Sequence, residues 1–326
     1  MKKNFILAIL ISCCLFSTVF LTQKEIEPAI DFYDTTFLRN SPAVEKVLKN
    51  NGFFEVDFKT HDNLMINAIM LDQSNELKVT ATIISCPGFV PGRKEGMSTL
   101  YAMLKNQPYN FIFVDSRGHG KSDGELLTFN GIKHYGENQY LDMIATIKFI
   151  ANYNKQRNIN QNIIIHGLCA GAFHTVKAVA DLKQSDPETY KCIKGIIVDS
   201  GWPAITDMID PLLEAEATER CKSYGVPSLQ PYLAYILHGV YDTFFKPSHC
   251  KQIPLNMAIS KIDQPILFIH AENDLFVPIH NVYPLIDAAK NPTTWFLKES
   301  AHVNNHLKHK EAYTHQMQRF IQTALE

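Results

Sequence analysis

The sequence predicts an α/β protein: a mostly parallel, doubly wound sheet with helices on both faces. Three observations predict it. Short apolar runs of strand length recur after residue 50, and such runs mark strands buried on both faces. Stretches with apolar residues at helical spacing separate them, the alternation expected of a parallel sheet with crossover helices. Finally, Gly167-Leu168-Cys169-Ala170-Gly171 lies between a strand-like run and a helical one. Two glycines there let the strand and helix backbones pass close together, so the middle side chain is pushed out above the sheet edge.

In chain order, Lys2 and Lys3 precede an uncharged, mostly apolar run over residues 5–22, long enough to cross a bilayer as a helix. Residues 1–24 are therefore expected to be a signal anchor or signal peptide, an apolar helix outside the fold. No small-x-small cleavage site is evident near residues 20–27, which favours an uncleaved anchor. A cleaved secretory signal and a lipoprotein signal are the other readings; in the latter, Leu10-Ile11-Ser12-Cys13 would leave Cys13 lipidated. Each places the folded part outside the cytoplasm, membrane-anchored or exported. Residues 25–50 are expected to form a linker or N-terminal extension.

The core is expected over residues 51–200 and 260–326. Residues 53–59 and 64–71 read as an antiparallel pair turning at His61-Asp62-Asn63. Further strands are expected at 79–85, 111–115, 163–165, 196–199, 266–269 and 294–297. Helices are expected over 137–151, where Tyr140, Ile144, Ile147 and Ala151 share a face, and over 172–182, with Ala172, Val176, Val179 and Ala180. A C-terminal helix carries Tyr313, Met317, Phe320 and Ala324 in the same way. Residues 201–259 are far more than a crossover needs and are expected to be an insertion. Its stretch 232–241 is apolar all round, which predicts a buried helix, either packed on the main domain or lining an acyl pocket.

A net charge of −2, with no tract rich in lysine or arginine, gives no footprint for nucleic acid. Of the seven cysteines, Cys13 and Cys14 fall in the apolar segment, which leaves Cys86, Cys169, Cys192, Cys221 and Cys250. That odd number leaves at least one thiol free in an oxidising compartment. Cys86 and Cys192 read as structural, and Cys221 and Cys250, both in the insertion, as candidates for a bridge.

Ligands bind beyond the carboxyl ends of strands in an open α/β sheet, and three such ends carry reactive residues. Cys169 follows one, at a helix N-terminus that favours a thiolate. Asp274 follows the strand at 266–269, and His302 follows the strand at 294–297. His302 can act as base and acid near neutral pH, and Asp274 can fix its tautomer. Glu272 and Asp199 are lesser candidates for the acid. His306 and His309 stand at metal-ligand spacing but lack a neighbouring cysteine or acid, so neither a metal nor a cofactor is expected. The turn Cys86-Pro87-Gly88-Phe89 can aim backbone N–H groups at a developing oxyanion.

Four motifs, Pro87-Gly88-Phe89, Asp115 to Ser122, the turn at Cys169, and the pair Asp274 and His302, make the chain from about Phe53 onward resemble an α/β-hydrolase. The order nucleophile, acid, histidine is the one found in that family. The resemblance implies that Phe89 and Ala170 donate the oxyanion-hole N–H groups, that the Asp115 to Ser122 run is mainly a structural loop, and that the insertion is a lid. Cysteine in place of the usual serine resembles dienelactone hydrolases and polyhydroxyalkanoate synthases. The expected activity is hydrolysis of an ester, thioester or lactone through Cys169, His302 and Asp274, on a small-molecule or lipid-like substrate with a hydrophobic acyl part. An acyltransferase with the same triad and a catalytically silent binding protein are the alternatives.

Overall fold

The structure is a computed structural model that describes residues 41–326 except 90, 91 and 127. The expected membrane segment at 1–24 lies outside the described residues. Among those described, no helix is long and apolar enough to cross a membrane.

The end of the expected linker is instead helix α1 (Ser41–Asn50). It folds because Val44 and Leu48, one turn apart, both bury fully in the core. Strands β1 (Phe54–Lys59) and β2 (Met65–Leu71) follow as the expected antiparallel pair, with Asn63 at the tip in a left-handed conformation, φ 65. Next come β3 (Ala81–Cys86), α2 (Ser98–Leu104), β4 (Tyr109–Val114), α3 (Phe129–Lys133) and α4 (Tyr140–Gln156). The chain then runs through β5 (Ile163–Leu168), α5 (Ala170–Ser185), α6 (Pro187–Cys192) and β6 (Ile193–Asp199). The insertion holds α7 (Ile205–Ser223), α8 (Gln230–Phe244), α9 (Lys246–His249) and α10 (Leu255–Ile259). After it come β7 (Ile266–Ala271), α11 (Tyr283–Ala288), β8 (Pro292–Leu297), α12 (Asn305–Lys308) and α13 (Lys310–Leu325).

The eight strands form one sheet in the order β1-β2-β4-β3-β5-β6-β7-β8. Only β2 runs against its neighbours; β4, β3, β5, β6, β7 and β8 pair in parallel. Strands β3, β4 and β5 are buried along their whole length, as continuous apolar runs require. Every expected strand is present, with shifted ends. β5 continues past its apolar run because partners on both sides extend the ladder: Gly167 pairs with Cys86 of β3 and Val198 of β6.

Two expectations for the insertion are overturned. Cys221 and Cys250 are both free thiols, the one buried and the other exposed, so no bridge joins them. Nor is α8 buried all round: Ala234, Leu237 and Tyr241 pack inward, while Tyr232 and Tyr235 are 70% and 82% exposed. Only one stripe of an apolar helix meets α7 here, and the tyrosines keep their hydroxyl ends in water.

Candidate active site

β5 ends in a turn that only glycine permits at two positions. A Cβ on Gly167 would lie 2.5 Å from the Ala172 Cα, and one on Gly171 would lie 2.1 Å from the Cys86 carbonyl oxygen. Between them Cys169 takes φ 55, ψ −117, left-handed backbone that is rare for a side-chain-bearing residue. Its N–H donates to the Asp199 carbonyl at 2.8 Å, which ties the turn to the end of β6. The Cys169 side chain stands at the N-terminus of α5, and the residue is 7% exposed.

The structure brings Cys169, His302 and Asp274 into one line. His302 Nε2 is 3.1 Å from Cys169 Sγ, and His302 Nδ1 is 2.7 Å from Asp274 Oδ2. The other carboxylate oxygen of Asp274 accepts from the Phe276 and Val277 N–H groups at 2.9 and 2.8 Å, which fixes its plane. Burial disfavours protonation of His302, but the Cys169 sulfur and the hydrogen bond to Asp274 outweigh it and raise its pKa from 6.5 to about 10. Glu272 is exposed and Asp199 is committed elsewhere, so of the candidate acids Asp274 alone meets the imidazole. His270, at the end of β7, donates from Nε2 to the Val277 carbonyl at 2.8 Å and steadies the same loop.

Phe89 and Ala170 flank Cys169, on the turn after β3 and at the first residue of α5. Gly88 lies against the Cys169 side chain: a Cβ there would come within 3.1 Å of the Cys169 Cβ. An apolar cavity of about 330 Å³ opens over the sulfur, walled by Phe89, Met97, Leu168, Phe276 and, from α7, Met208 and Leu212.

Two supporting groups escape a reading of the sequence. His119, in the loop after β4, donates from Nε2 to the Phe89 carbonyl at 2.9 Å and so fixes the peptide group beyond Phe89. Burial pushes its pKa down, which keeps it a neutral strut. Within the same loop, Arg117 bridges Asp62 and Asp142 at 2.7 Å each, and Asp115 accepts from the buried Lys94 amine at 2.8 Å; this run is structural, as expected. The second group is a buried chain at the ends of β5 and β6. Ser85 Oγ donates to His166 Nδ1 at 2.8 Å, His166 Nε2 donates to the Tyr313 hydroxyl at 3.2 Å, and Tyr313 donates to Asp199 Oδ2 at 2.8 Å. Asp199 Oδ1 accepts from Ser200 Oγ at 2.8 Å and Asn305 Nδ2 at 3.0 Å, and Ser200 Oγ accepts from the Val303 N–H at 3.3 Å. The loop carrying His302 is thus pinned to the strand end that holds the Cys169 turn. His306, paired with His309 in the sequence reading, is instead buried beside Tyr313, with ring centroids 6.0 Å apart.

Residues 96–326 match the prolyl oligopeptidase family. The chain belongs to that family. It is an enzyme of the α/β-hydrolase superfamily. An uncharacterized protein of Bacillus subtilis (strain 168), YqkD, is 24% identical over 244 residues, 74% of this chain and 70% of that protein. Among solved structures, the Pyrococcus furiosus esterase Pf2001 is 19% identical, with a TM-score of 0.62 over 84% of this chain and 92% of its own. A membrane phospholipase A described as a bacterial virulence factor is 15% identical, with a TM-score of 0.58 over 99% of both chains. At these identities the solved structures share the fold.

Proposed function

We propose that this hydrolase cleaves an ester, thioester or lactone by attack of Cys169 on the carbonyl carbon. The reading rests on the line Cys169–His302–Asp274, with its separations of 3.1 and 2.7 Å, at the floor of an apolar cavity. His302 Nε2 takes the proton of Cys169 as the sulfur attacks. Sγ adds to the carbonyl, and the oxyanion takes hydrogen bonds from the Phe89 and Ala170 N–H groups. His302 gives its proton to the leaving oxygen or sulfur as the acyl-enzyme forms. Neutral His302 then takes a proton from water, which attacks the thioester, and the sulfur departs as thiolate. Asp274 holds the Nδ1–H tautomer throughout.

The acyl chain lies in the cavity under α7, which makes the insertion a lid. Its volume falls at the low end for ligand pockets, which suits a short to medium chain. The esterase and phospholipase A names of two solved neighbours agree with such a substrate. We also propose that residues 1–24 anchor this domain to a membrane from outside the cytoplasm. Deleting them should move the protein from the membrane to the soluble fraction, and a mature N-terminus at Cys13 bearing lipid would replace the anchor with a lipoprotein.

The decisive experiment is intact mass after exposure to activated acyl esters and thioesters, followed by peptide mapping. An acyl adduct on Cys169 that decays in water supports the reading. Decay that needs an added alcohol or thiol would make the protein an acyltransferase, and no adduct with any acyl donor would remove the proposal.

A further inference from the structure

Among the described residues, the wall of the cavity over Cys169 carries one cation besides the His302 imidazole. It is Arg93, at the head of the short turn Lys94–Met97, where the backbone is extended at φ −103, ψ 146. The turn is anchored from beneath. Lys94 N–H donates to Asp115 Oδ1 at 2.7 Å, and the Lys94 amine donates to Asp115 Oδ2 at 2.8 Å and Asn67 Oδ1 at 2.6 Å. Lys94 is therefore paired in the core, and its neighbour Arg93 lines the cavity beside this anchored turn.

Arg93 is half-buried, and among the described residues its guanidinium has neither an ion pair nor a hydrogen bond. Among the described residues no carboxylate lines the cavity; besides Cys169, His302 and Arg93 its ionisable group is His306, which burial keeps neutral. Arg117, in the loop after β4, is by contrast satisfied by two carboxylates. A guanidinium offers five donors in a planar fork that matches the paired oxygens of a carboxylate or phosphate. Placed in an otherwise apolar wall, it favours a ligand that is apolar at one end and anionic at the other.

We propose that Arg93 binds an anionic group, a carboxylate or a phosphate, carried by the substrate near its scissile bond. The inference rests on the acyl-hydrolase reading above and adds the charge of the substrate. The two chemistries share the paired oxygens and differ in charge and oxygen number.

Two measurements test it. The first compares kcat/KM for 4-nitrophenyl butyrate with its carboxylate-bearing analogue, 4-nitrophenyl hemisuccinate, and with a butyryl ester of glycerol phosphate. Arg93→Ala should lower the anionic-to-neutral ratio by about tenfold to a hundredfold, mainly through KM, and Arg93→Lys should restore only part of it. The second needs no turnover. In a Cys169→Ala background, calorimetric titration should show hexanoate or hexylphosphonate binding at least about tenfold tighter than hexanol, with Arg93→Ala removing the difference. Whichever anion shows the larger Arg93-dependent gain identifies the group. A ratio that Arg93→Ala leaves unchanged, or equal binding of hexanol and both anions, overturns the inference even if Cys169 still forms an acyl adduct.

Discussion

Cys169 occupies a backbone region that costs a residue with a side chain about 1–3 kcal/mol, and Ser200 (φ 55) and Val303 (φ 51) also have positive φ. The buried Asp199 holds these turns together, taking the Cys169 N–H on its carbonyl and reaching Val303 through Ser200. Asp199→Asn keeps the shape but cannot accept from Ser200, Tyr313 and Asn305 as a carboxylate does. It should lower kcat more than it raises KM and lower the melting temperature by several degrees, which steady-state kinetics and calorimetry would show. An unchanged kcat would mean that the His302 loop positions itself. In the line Cys169–His302–Asp274, His302→Ala should remove nearly all turnover, while Asp274→Asn should leave more, since the imidazole remains but in the wrong tautomer. Cys169→Ser should fold normally and lose most turnover, because a hydroxyl depends on a base placed for its own proton. If Cys169→Ala hydrolyses esters like the parent, the nucleophile lies elsewhere.

At the scale of elements, α7 joins the insertion to the chemistry, because it alone of the inserted helices reaches the cavity, through Met208 and Leu212. Leu212→Trp adds volume to a space of about 330 Å³, so the longest accepted acyl chain should shorten. Relative to acetyl esters, kcat/KM for octanoyl esters should fall by about tenfold or more, and an unchanged chain-length profile would remove α7 from the acyl site. Strands were legible in the sequence because burial on both faces leaves an uninterrupted apolar run. The exposed face of α8 was not, since apolar residues all round a helix say nothing of which neighbour covers which side. Helix α1 was not legible because, among its described side chains, only Val44 and Leu48 are buried.

Across the whole molecule, residues 169, 274 and 302 could be read in advance because each follows a strand and their order carries information. The chain from Ser85 to Asn305 could not, because its partners stand 81, 147, 114 and 106 residues apart with no periodicity to connect them. That same burial of polar groups sets how stability depends on pH. Desolvation lowers the pKa of His119, His166, His174, His249, His270 and His306, with His166 brought from 6.5 to about 4. Below pH 6.5 the unfolded chain takes up protons that the native state refuses, so the stability these groups contribute is present above pH 6.5 and is lost as pH falls towards 4. His166 alone accounts for about 3 kcal/mol across that window. Asp142, raised by burial to about 6, works in the opposite direction between pH 3.8 and 6, as do Glu95 and Asp207, also raised by burial, but they are three carboxyls against six histidines. His302, raised to about 10, contributes stability that is present below pH 6.5 and lost as pH rises through 10. Urea midpoints at constant ionic strength should therefore peak between about pH 6.5 and 8 and fall more steeply on the acid side. His166→Gln, whose amide cannot be protonated, should flatten the acid limb whatever its cost at neutral pH. A midpoint that stays level from pH 6.5 to 4.5 would mean that these histidines accept protons without opening the fold.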